Sequence, residues 1–197
     1  MNIIENAFPE YSFKYFNDTI MGNSFKWNFL SGTSYDPEIS ESLNKNRTYC
    51  LTREITSDSD QDKKMFSNLR TAFINAIKHT QEKTIEPYTI RINAFLNVGD
   101  KVIHEPHVDF TTHHKTAIFY LNSSDDDATF IYNEKYDPKS NMHAKDYLSD
   151  VLKNKVTVAI SIKPKQNSIL FFDGLHYHSS SSPTSVMRRV AVVFNYR

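Results

Sequence analysis

Two segments in the C-terminal half of the chain carry histidines that could hold a metal ion. The first is the tripeptide His107-Val108-Asp109, which lies between two predicted strands. About seventy residues later, the segment FFDGLHYHSSSSP supplies His176 and His178 after a turn at Gly174. Two imidazoles and one carboxylate occupy one face of an octahedral iron(II) ion and leave three positions open. The two segments therefore indicate a facial iron site, to which the second segment would add one histidine.

A pair of arginines follows the second histidine segment. Arg188 and Arg189 open the segment RRVAVVFNY, about ten residues after His178. A bidentate 2-oxo acid would fill two open positions on such an iron ion, and dioxygen would fill the third. The distal carboxylate of 2-oxoglutarate would then need a fixed planar cation, which an arginine provides through paired hydrogen bonds. The order His-x-Asp, His, Arg is more restrictive than any of its parts and favours this chemistry.

Short strands are the elements that must position these residues. After Pro87 the sequence contains six stretches rich in β-branched and aromatic residues, separated by Gly, Asn, Asp or Pro: YTIRINAFLNV, TAIFYLN, ATFIYN, VTVAISI, SILFFD and RVAVVFNY. Several short strands without intervening helices predict a sandwich, jelly roll or barrel. The polar stretch at 134–154 has one helical patch, and we interpret it as an insertion that could act as a lid.

The first 86 residues are predicted to support this β-domain. The segment FKWNF at 25–29 is typical of a short strand. Between about 59 and 82, apolar residues at spacings of three, four and four predict one face of an amphipathic helix, formed by Phe66, Leu69, Phe73 and Ile77. We expect residues 1–197 to form a single domain, with a helical preamble at 1–86 and a β-core at 87–197.

Composition excludes several classes of protein. The 23 basic and 23 acidic residues cancel, which argues against a nucleic-acid binder. Cys50 is the single cysteine, so there is no disulfide framework and a reducing compartment is expected. No apolar run approaches the ~20 residues of a membrane span, and the N-terminus lacks the pattern of a signal peptide. We therefore expect a soluble, cytoplasmic protein.

Four segments of the chain resemble the 2-oxoglutarate/Fe(II)-dependent dioxygenase superfamily, and most closely its prolyl-4-hydroxylase-like branch with its small phage and bacterial members. They are EPHVDF at 105–110, AIFYLN at 117–122, IKPKQNSILFFDG at 162–174 and RRVAVVFNY at 188–196. The resemblance covers roughly residues 87–197. It implies a double-stranded β-helix (a distorted jelly roll) that couples decarboxylation of 2-oxoglutarate to hydroxylation of a C–H bond. Fe(II), 2-oxoglutarate and O2 would be required, with ascorbate as the reductant.

The same resemblance implies which residues bind iron. His107 and Asp109 match the first two ligands, and His178 matches the third, with His176 as the alternative. Members of the superfamily that halogenate have lost the carboxylate ligand. Because this sequence retains Asp109, the resemblance implies hydroxylation.

Residues that would contact the cosubstrate also follow from the resemblance. Arg189 matches the arginine that binds the distal carboxylate of 2-oxoglutarate, with Arg188 as the alternative. Tyr120 matches a hydroxyl aimed at the same carboxylate, and Ile118 would pack on the cosubstrate. Asn97 occupies the region where relatives often carry a tyrosine that touches 2-oxoglutarate.

The expected substrate is a prolyl or other amino-acid unit, in a peptide or in a small molecule. One alternative is a nucleic-acid demethylase of the same superfamily, whose pattern places a second arginine six residues after the first. Phe194 and Asn195 stand at those positions here. A second alternative is a non-catalytic jelly-roll binding module. The acidic turn at 123–127 is expected to be a solvated hairpin tip, and His104 a solvated strand end.

Overall fold

Ten strands and three helices are present in the computed structural model, which describes residues 1–30, 49–56, 60–78 and 86–197. The strands are β1 (Asn2–Glu5), β2 (Asn28–Leu30), β3 (Cys50–Glu54), β4 (Pro87–Leu96), β5 (Lys115–Tyr120), β6 (Thr129–Lys135), β7 (Val158–Ile162), β8 (Ser168–Asp173), β9 (His176–Ser180) and β10 (Arg188–Tyr196). The helices are α1 (Glu10–Met21), α2 (Asp60–Ile77) and α3 (Ala144–Asp146). None of the described helices is long and apolar enough to cross a lipid bilayer. The predicted class, mainly β with N-terminal helices, is confirmed.

The larger sheet has seven antiparallel strands in the order β1-β8-β5-β10-β4-β3-β2. The six stretches predicted after Pro87 correspond to β4, β5, β6, β7, β8 and β10. The first 86 residues, however, are more than a helical preamble. Their strands β1, β2 and β3 form both edges of this sheet, where β1 pairs with β8 and β3 pairs with β4. The strand predicted at 25–29 overlaps β2 only at residues 28 and 29, and residues 25–27 precede the strand.

The smaller sheet, in the order β7-β6-β9, faces the larger one across a cavity. A further extended segment, residues 102–107, lies along the free edge of β9. The amide of His104 donates to the carbonyl of Ser180 at 2.8 Å, and the amide of Ser182 donates to the carbonyl of Val102 at 2.9 Å. Isolated antiparallel bridges join Ile103 to Ser181 and His107 to His178. The chain immediately before the His-x-Asp motif is thereby fixed to this sheet.

The side chains of β10 alternate between the hydrophobic core on one side of the sheet and the cavity on the other. Successive side chains of a strand point to opposite sides of the sheet. Val190, Val192 and Phe194 belong to the core shared with α1 and α2, whereas Arg189 lines the cavity. The ring of Phe73, on α2, stacks on Phe194 with centroids 4.4 Å apart.

The predicted face of α2 is confirmed within the described residues. Leu69, Phe73 and Ile77 are buried in this core, and Phe66 packs against it while partly exposed. The predicted helix extended to residue 82, but 79–82, like residue 59, lie outside the described residues.

The insertion at 134–154 packs against the outer face of the smaller sheet. Its apolar side chains, including Tyr147 and Leu148, pack in a cluster with Tyr177 and Val108. The hydroxyl of Tyr177 donates to the carbonyl of Ala144 at 2.6 Å. This packing on the outer face does not support the interpretation as a lid over the cavity.

The turn that precedes the second histidine segment has no room for a side chain. Gly174, between β8 and β9, donates its amide hydrogen to the carbonyl of His114 at 3.0 Å. A Cβ atom at Gly174 would overlap the imidazole of His114, which is buried. Glycine is therefore required here for space, so that β9 can begin directly after β8.

We predict that Gly174→Ala lowers the free energy of unfolding by about 1–3 kcal/mol, the usual effect of overpacking. Chemical denaturation measures this change. In a His114→Ala background, where the opposing ring is absent, the same substitution should cost less. An equal cost in both backgrounds would contradict the steric explanation.

Candidate metal centre

The side chains of His107, Asp109 and His178 converge at one end of the cavity between the two sheets. His107 and His178 exchange two backbone hydrogen bonds, each 2.9 Å long, so their side chains lie next to each other. Their ring centroids are 4.5 Å apart. One ligand atom from each of the three residues can be chosen so that all lie within 4.8 Å of one another. The structure thus brings together two segments that are far apart in the sequence.

Each histidine is oriented by a carbonyl group two residues earlier in the chain. His107 Nδ1 lies 3.2 Å from the carbonyl oxygen of Glu105, and His178 Nδ1 lies 3.2 Å from that of His176. With a proton on Nδ1, each ring leaves the lone pair of Nε2 available for a metal ion. Burial, reinforced by His107, lowers the pKa of His178 to about 3. The His178 ring is therefore neutral at physiological pH, as metal binding requires.

Asp109 is held by Arg91, which lies on β4. Arg91 Nη2 donates to Asp109 Oδ1 at 2.6 Å, while the side chain of Asp109 is only 2% exposed. Burial alone would raise the pKa of Asp109, but the charge of Arg91 and its hydrogen bond lower it well below its usual value. The carboxylate is therefore ionised, which is the form that binds a metal.

The second carboxylate oxygen of Asp109, Oδ2, provides the clearest indication of a metal site. Asp109 Oδ2 is buried and has no hydrogen-bond partner among the described residues. It faces His178 Nε2 at 3.9 Å. A buried carboxylate oxygen without a partner is costly unless another group binds it. Two imidazoles and one ionised carboxylate are suitable ligands for a divalent transition metal such as Fe(II).

His176, the alternative third ligand, is not part of this cluster. Its Nδ1 lies 2.8 Å from the carbonyl oxygen of Tyr132. Of the two candidates, only His178 is brought to His107 and Asp109.

The opposite end of the cavity holds a buried arginine. Arg189 is 1% exposed, and its guanidinium carbon lies 4.6 Å from the centroid of the Phe95 ring. Its Nη1 lies 3.4 Å from the hydroxyl of Thr129, which also accepts a hydrogen bond from Tyr120 at 2.8 Å. Ile118 contributes an apolar wall. The cavity therefore has a metal-ligand cluster at one end and a cation with hydroxyl groups at the other.

Two other predicted positions lie outside the cavity. Arg188, the alternative to Arg189, points to the helical side and donates to the carbonyl of Met21 at 2.8 Å. Asn97 is exposed, and its side chain binds the carbonyls of Thr184 and Val186. The prediction that Asn97 contacts the cosubstrate is not supported, because this residue fixes a surface loop instead.

Three residues near the cavity were missed or misread from the sequence. Arg91 is the one charged residue of β4, a signal that a specific partner lies on the inner face. Asp127 was expected in a solvated turn, but its side chain is fully buried beside Arg189, with Oδ2 3.2 Å from Nε. His104 was expected at a solvated strand end, but it is buried, stacks on Phe95, and has its Nδ1 2.8 Å from Ser180 Oγ.

Comparison with known proteins identifies the fold. No protein-family model and no curated protein matches the chain. Many solved structures are similar to this chain, and three of them match it over 98–99% of its length. A 2-oxoglutarate-Fe(II) oxygenase family protein from Burkholderia pseudomallei is covered over 83% of its length, with a TM-score of 0.60 and 10% identity. A prolyl hydroxylase from Trichoplax adhaerens, in complex with a hypoxia-inducible factor peptide fragment, is covered over 82%, with a TM-score of 0.59 and 15% identity.

The third is a protein from Streptomyces hygroscopicus with nickel and 2-oxoglutarate bound. It is covered over 81% of its length, with a TM-score of 0.58 and 11% identity. These similarities confirm the predicted double-stranded β-helix fold.

We predict that His107→Ala, Asp109→Ala and His178→Ala each lower the affinity for Fe(II) or Mn(II) by more than about 100-fold, because even changes in the surroundings of metal ligands cost 10–100-fold. Calorimetric titration with Mn(II) measures the affinity, and circular dichroism checks that each variant is folded. His176→Ala is the matched control and should bind the metal normally. Loss of binding in His176→Ala, with binding retained in His178→Ala, would refute this ligand set.

Proposed function

We propose that this protein is an Fe(II)- and 2-oxoglutarate-dependent dioxygenase. The observation that carries the proposal is the cavity, in which a His-Asp-His cluster and a fully buried arginine occupy opposite ends. His107, Asp109 and His178 would hold the iron. Arg189 and Tyr120 would bind the distal carboxylate of 2-oxoglutarate. The shared fold supports this reading, since structures of that fold contain a metal with 2-oxoglutarate bound.

Bound iron(II) would supply the redox chemistry that couples decarboxylation of 2-oxoglutarate to hydroxylation of a substrate C–H bond, with ascorbate as the external reductant. The residues of the chain bind and orient the reactants. Arg91 keeps Asp109 ionised and fixes one of its oxygens, which leaves the other for the metal. Burial raises the pKa of Tyr120 to about 12, so its hydroxyl keeps the proton that it can donate.

The cavity wall between the metal-ligand cluster and Arg189 is apolar. It is formed by Ile118, Ala191 and Val193, which are buried. A buried arginine beside such a wall binds a carboxylate more strongly than an exposed arginine does, because the local dielectric constant is lower. The arrangement thus favours a cosubstrate with an anionic tail.

For the substrate, we propose a prolyl or other amino-acid unit in a peptide or small molecule. The resemblance of EPHVDF and AIFYLN to prolyl hydroxylases supports this class, as does the absence of net charge. The demethylase alternative would need a second arginine near Asn195. Asn195 is instead buried, accepting from Thr116 at 2.9 Å and donating to Thr89 at 3.2 Å.

We predict that Arg189→Ala weakens 2-oxoglutarate binding by about 1.5–3 kcal/mol, the contribution of a charge-assisted hydrogen-bonded pair. Arg189→Lys should be intermediate, because it replaces a planar fork by a point charge. Tyr120→Phe should cost about 0.5–1.5 kcal/mol, for one hydrogen bond. Calorimetric titration of the Mn(II)-loaded protein measures each value. Arg188→Ala is the control, and an equal loss there would argue against the role of Arg189.

We further predict oxygen addition to an amino-acid substrate. The protein should be incubated with Fe(II), ascorbate, 2-oxoglutarate and two substrate panels. One panel contains proline-containing peptides and free amino acids, and the other contains methylated oligonucleotides. Mass spectrometry should detect one added oxygen atom in a member of the first panel, with succinate formed alongside it. Demethylated oligonucleotides without any oxidised amino acid or peptide would favour the alternative.

A further inference from the structure

Arg189 has a buried carboxylate partner, Asp127. This residue lies two positions before β6; its side chain is 0% exposed, and its Oδ2 lies 3.2 Å from Arg189 Nε. Neither oxygen of Asp127 makes a well-formed hydrogen bond among the described residues. The pair is therefore held mainly by charge, inside the protein and beside the proposed cosubstrate site.

The position of Asp127 determines which nitrogen atoms of the Arg189 guanidinium are available to a ligand. Its carboxylate faces Nε, while Nη1 lies near the Thr129 hydroxyl and Phe95 covers one face of the guanidinium. The Nη groups are left as the donors for a ligand carboxylate in the cavity. Asp127 thus fixes the orientation of Arg189.

The Arg189–Asp127 pair makes the binding of a dicarboxylate electrostatically unfavourable. At the metal end, a divalent ion would be balanced by Asp109 and by the ligand's own proximal carboxylate. The distal carboxylate would then meet Arg189, whose charge is already balanced by Asp127. Two buried carboxylates would then share one guanidinium, which is strongly unfavourable. The positive charge that balances the second carboxylate is that of Arg91, which lies at the metal end of the cavity, where it binds Asp109.

Resting on the function proposed above, we propose that Asp127 is a positioning residue that takes up one proton from solvent when 2-oxoglutarate binds. The proton bonds to a carboxylate oxygen of Asp127, and Arg189 then pairs with the distal carboxylate of the ligand. Cosubstrate binding would thereby be coupled to pH through a residue that touches neither the metal nor the ligand.

The surroundings of Asp127 are consistent with this proton uptake. The titratable groups that face it are Arg189 on β10, Tyr120 on β5 and Asp126 in its own turn. Burial raises the pKa of Asp127 above its ordinary value even with Arg189 beside it, and the charge of Asp126 acts in the same direction. Asp126 itself is held ionised by hydrogen bonds from Ser185 and Thr184. A further negative charge at Arg189 would raise the pKa of Asp127 again.

Calorimetry counts the protons directly. Mn(II)-loaded protein, kept free of oxygen, is titrated with 2-oxoglutarate in buffers that differ in ionisation enthalpy. Pyruvate serves as the reference, because it has the same 2-oxo acid group without the distal carboxylate. Wild-type protein should take up about one proton more with 2-oxoglutarate than with pyruvate, and its affinity should fall about tenfold for each pH unit over the range where only the complex is protonated.

Asp127→Asn replaces the titrating group by a neutral side chain of similar shape. In this variant the proton difference should be close to zero, and the affinity for 2-oxoglutarate should not depend on pH once the pyruvate reference is subtracted. Above the pKa of Asp127 the variant should bind more tightly than wild type. Asp125→Asn, an exposed neighbour, is the matched control and should behave as wild type.

The outcomes separate this inference from the proposed function. Binding of 2-oxoglutarate that depends on Arg189 but involves no extra proton would overturn the role of Asp127 and leave the dioxygenase proposal intact. Failure of the wild-type protein to bind 2-oxoglutarate at any pH would overturn both. Because the proton count is made on wild-type protein, the test does not depend on whether Asp127→Asn folds.

Discussion

The pair of backbone hydrogen bonds between His107 and His178 is the contact on which the candidate site depends. It fixes the extended segment 102–107 to the edge of β9, so the two histidines lie side by side. Because side chains alternate along an extended chain, a slip of one residue in this register would turn His178 away from the cavity. The geometry of the metal ligands is therefore set by main-chain pairing.

The two faces of the larger sheet have different roles. Its outer face carries apolar side chains that pack against α1 and α2, with Phe73 stacked on Phe194. Its inner face carries Arg91 on β4 and Arg189 on β10, each paired with a carboxylate. The carboxylates of Asp109 and Asp127 are both buried, so removing the arginine from either pair would be costly because it would leave a buried charge alone. We interpret both ion pairs as interactions that fix the position and charge of functional groups.

Much of this arrangement could be predicted from the sequence, for identifiable reasons. The strands after Pro87 are rich in β-branched and aromatic residues, and the apolar face of α2 repeats at helical spacing, so both signals are local. The choice of His178 over His176 and of Arg189 over Arg188 came from a family pattern. The structure brings the preferred residue of each pair to the cavity.

Other features could not be predicted because they depend on contacts between distant segments. Nothing in the residues of β1 or β3 indicates that they extend the sheet, since their partners β8 and β4 lie far away in the chain. In the sequence Asp127 belongs to a polar turn, and its contact with Arg189 is evident only in the folded structure. The family resemblance placed Asn97 near the cosubstrate, but its side chain binds the carbonyls of Thr184 and Val186.

The central place of β10 in the larger sheet has a consequence for synthesis of the protein in the cell. β10 pairs with both β5 and β4, yet it is translated after them and after every other described strand. Until it leaves the ribosome, β4 and β5 each have an unpaired edge, and sheets built from such distant segments fold slowly. Nascent chains of this protein should therefore expose these edges, which are prone to aggregation, until β10 has been translated.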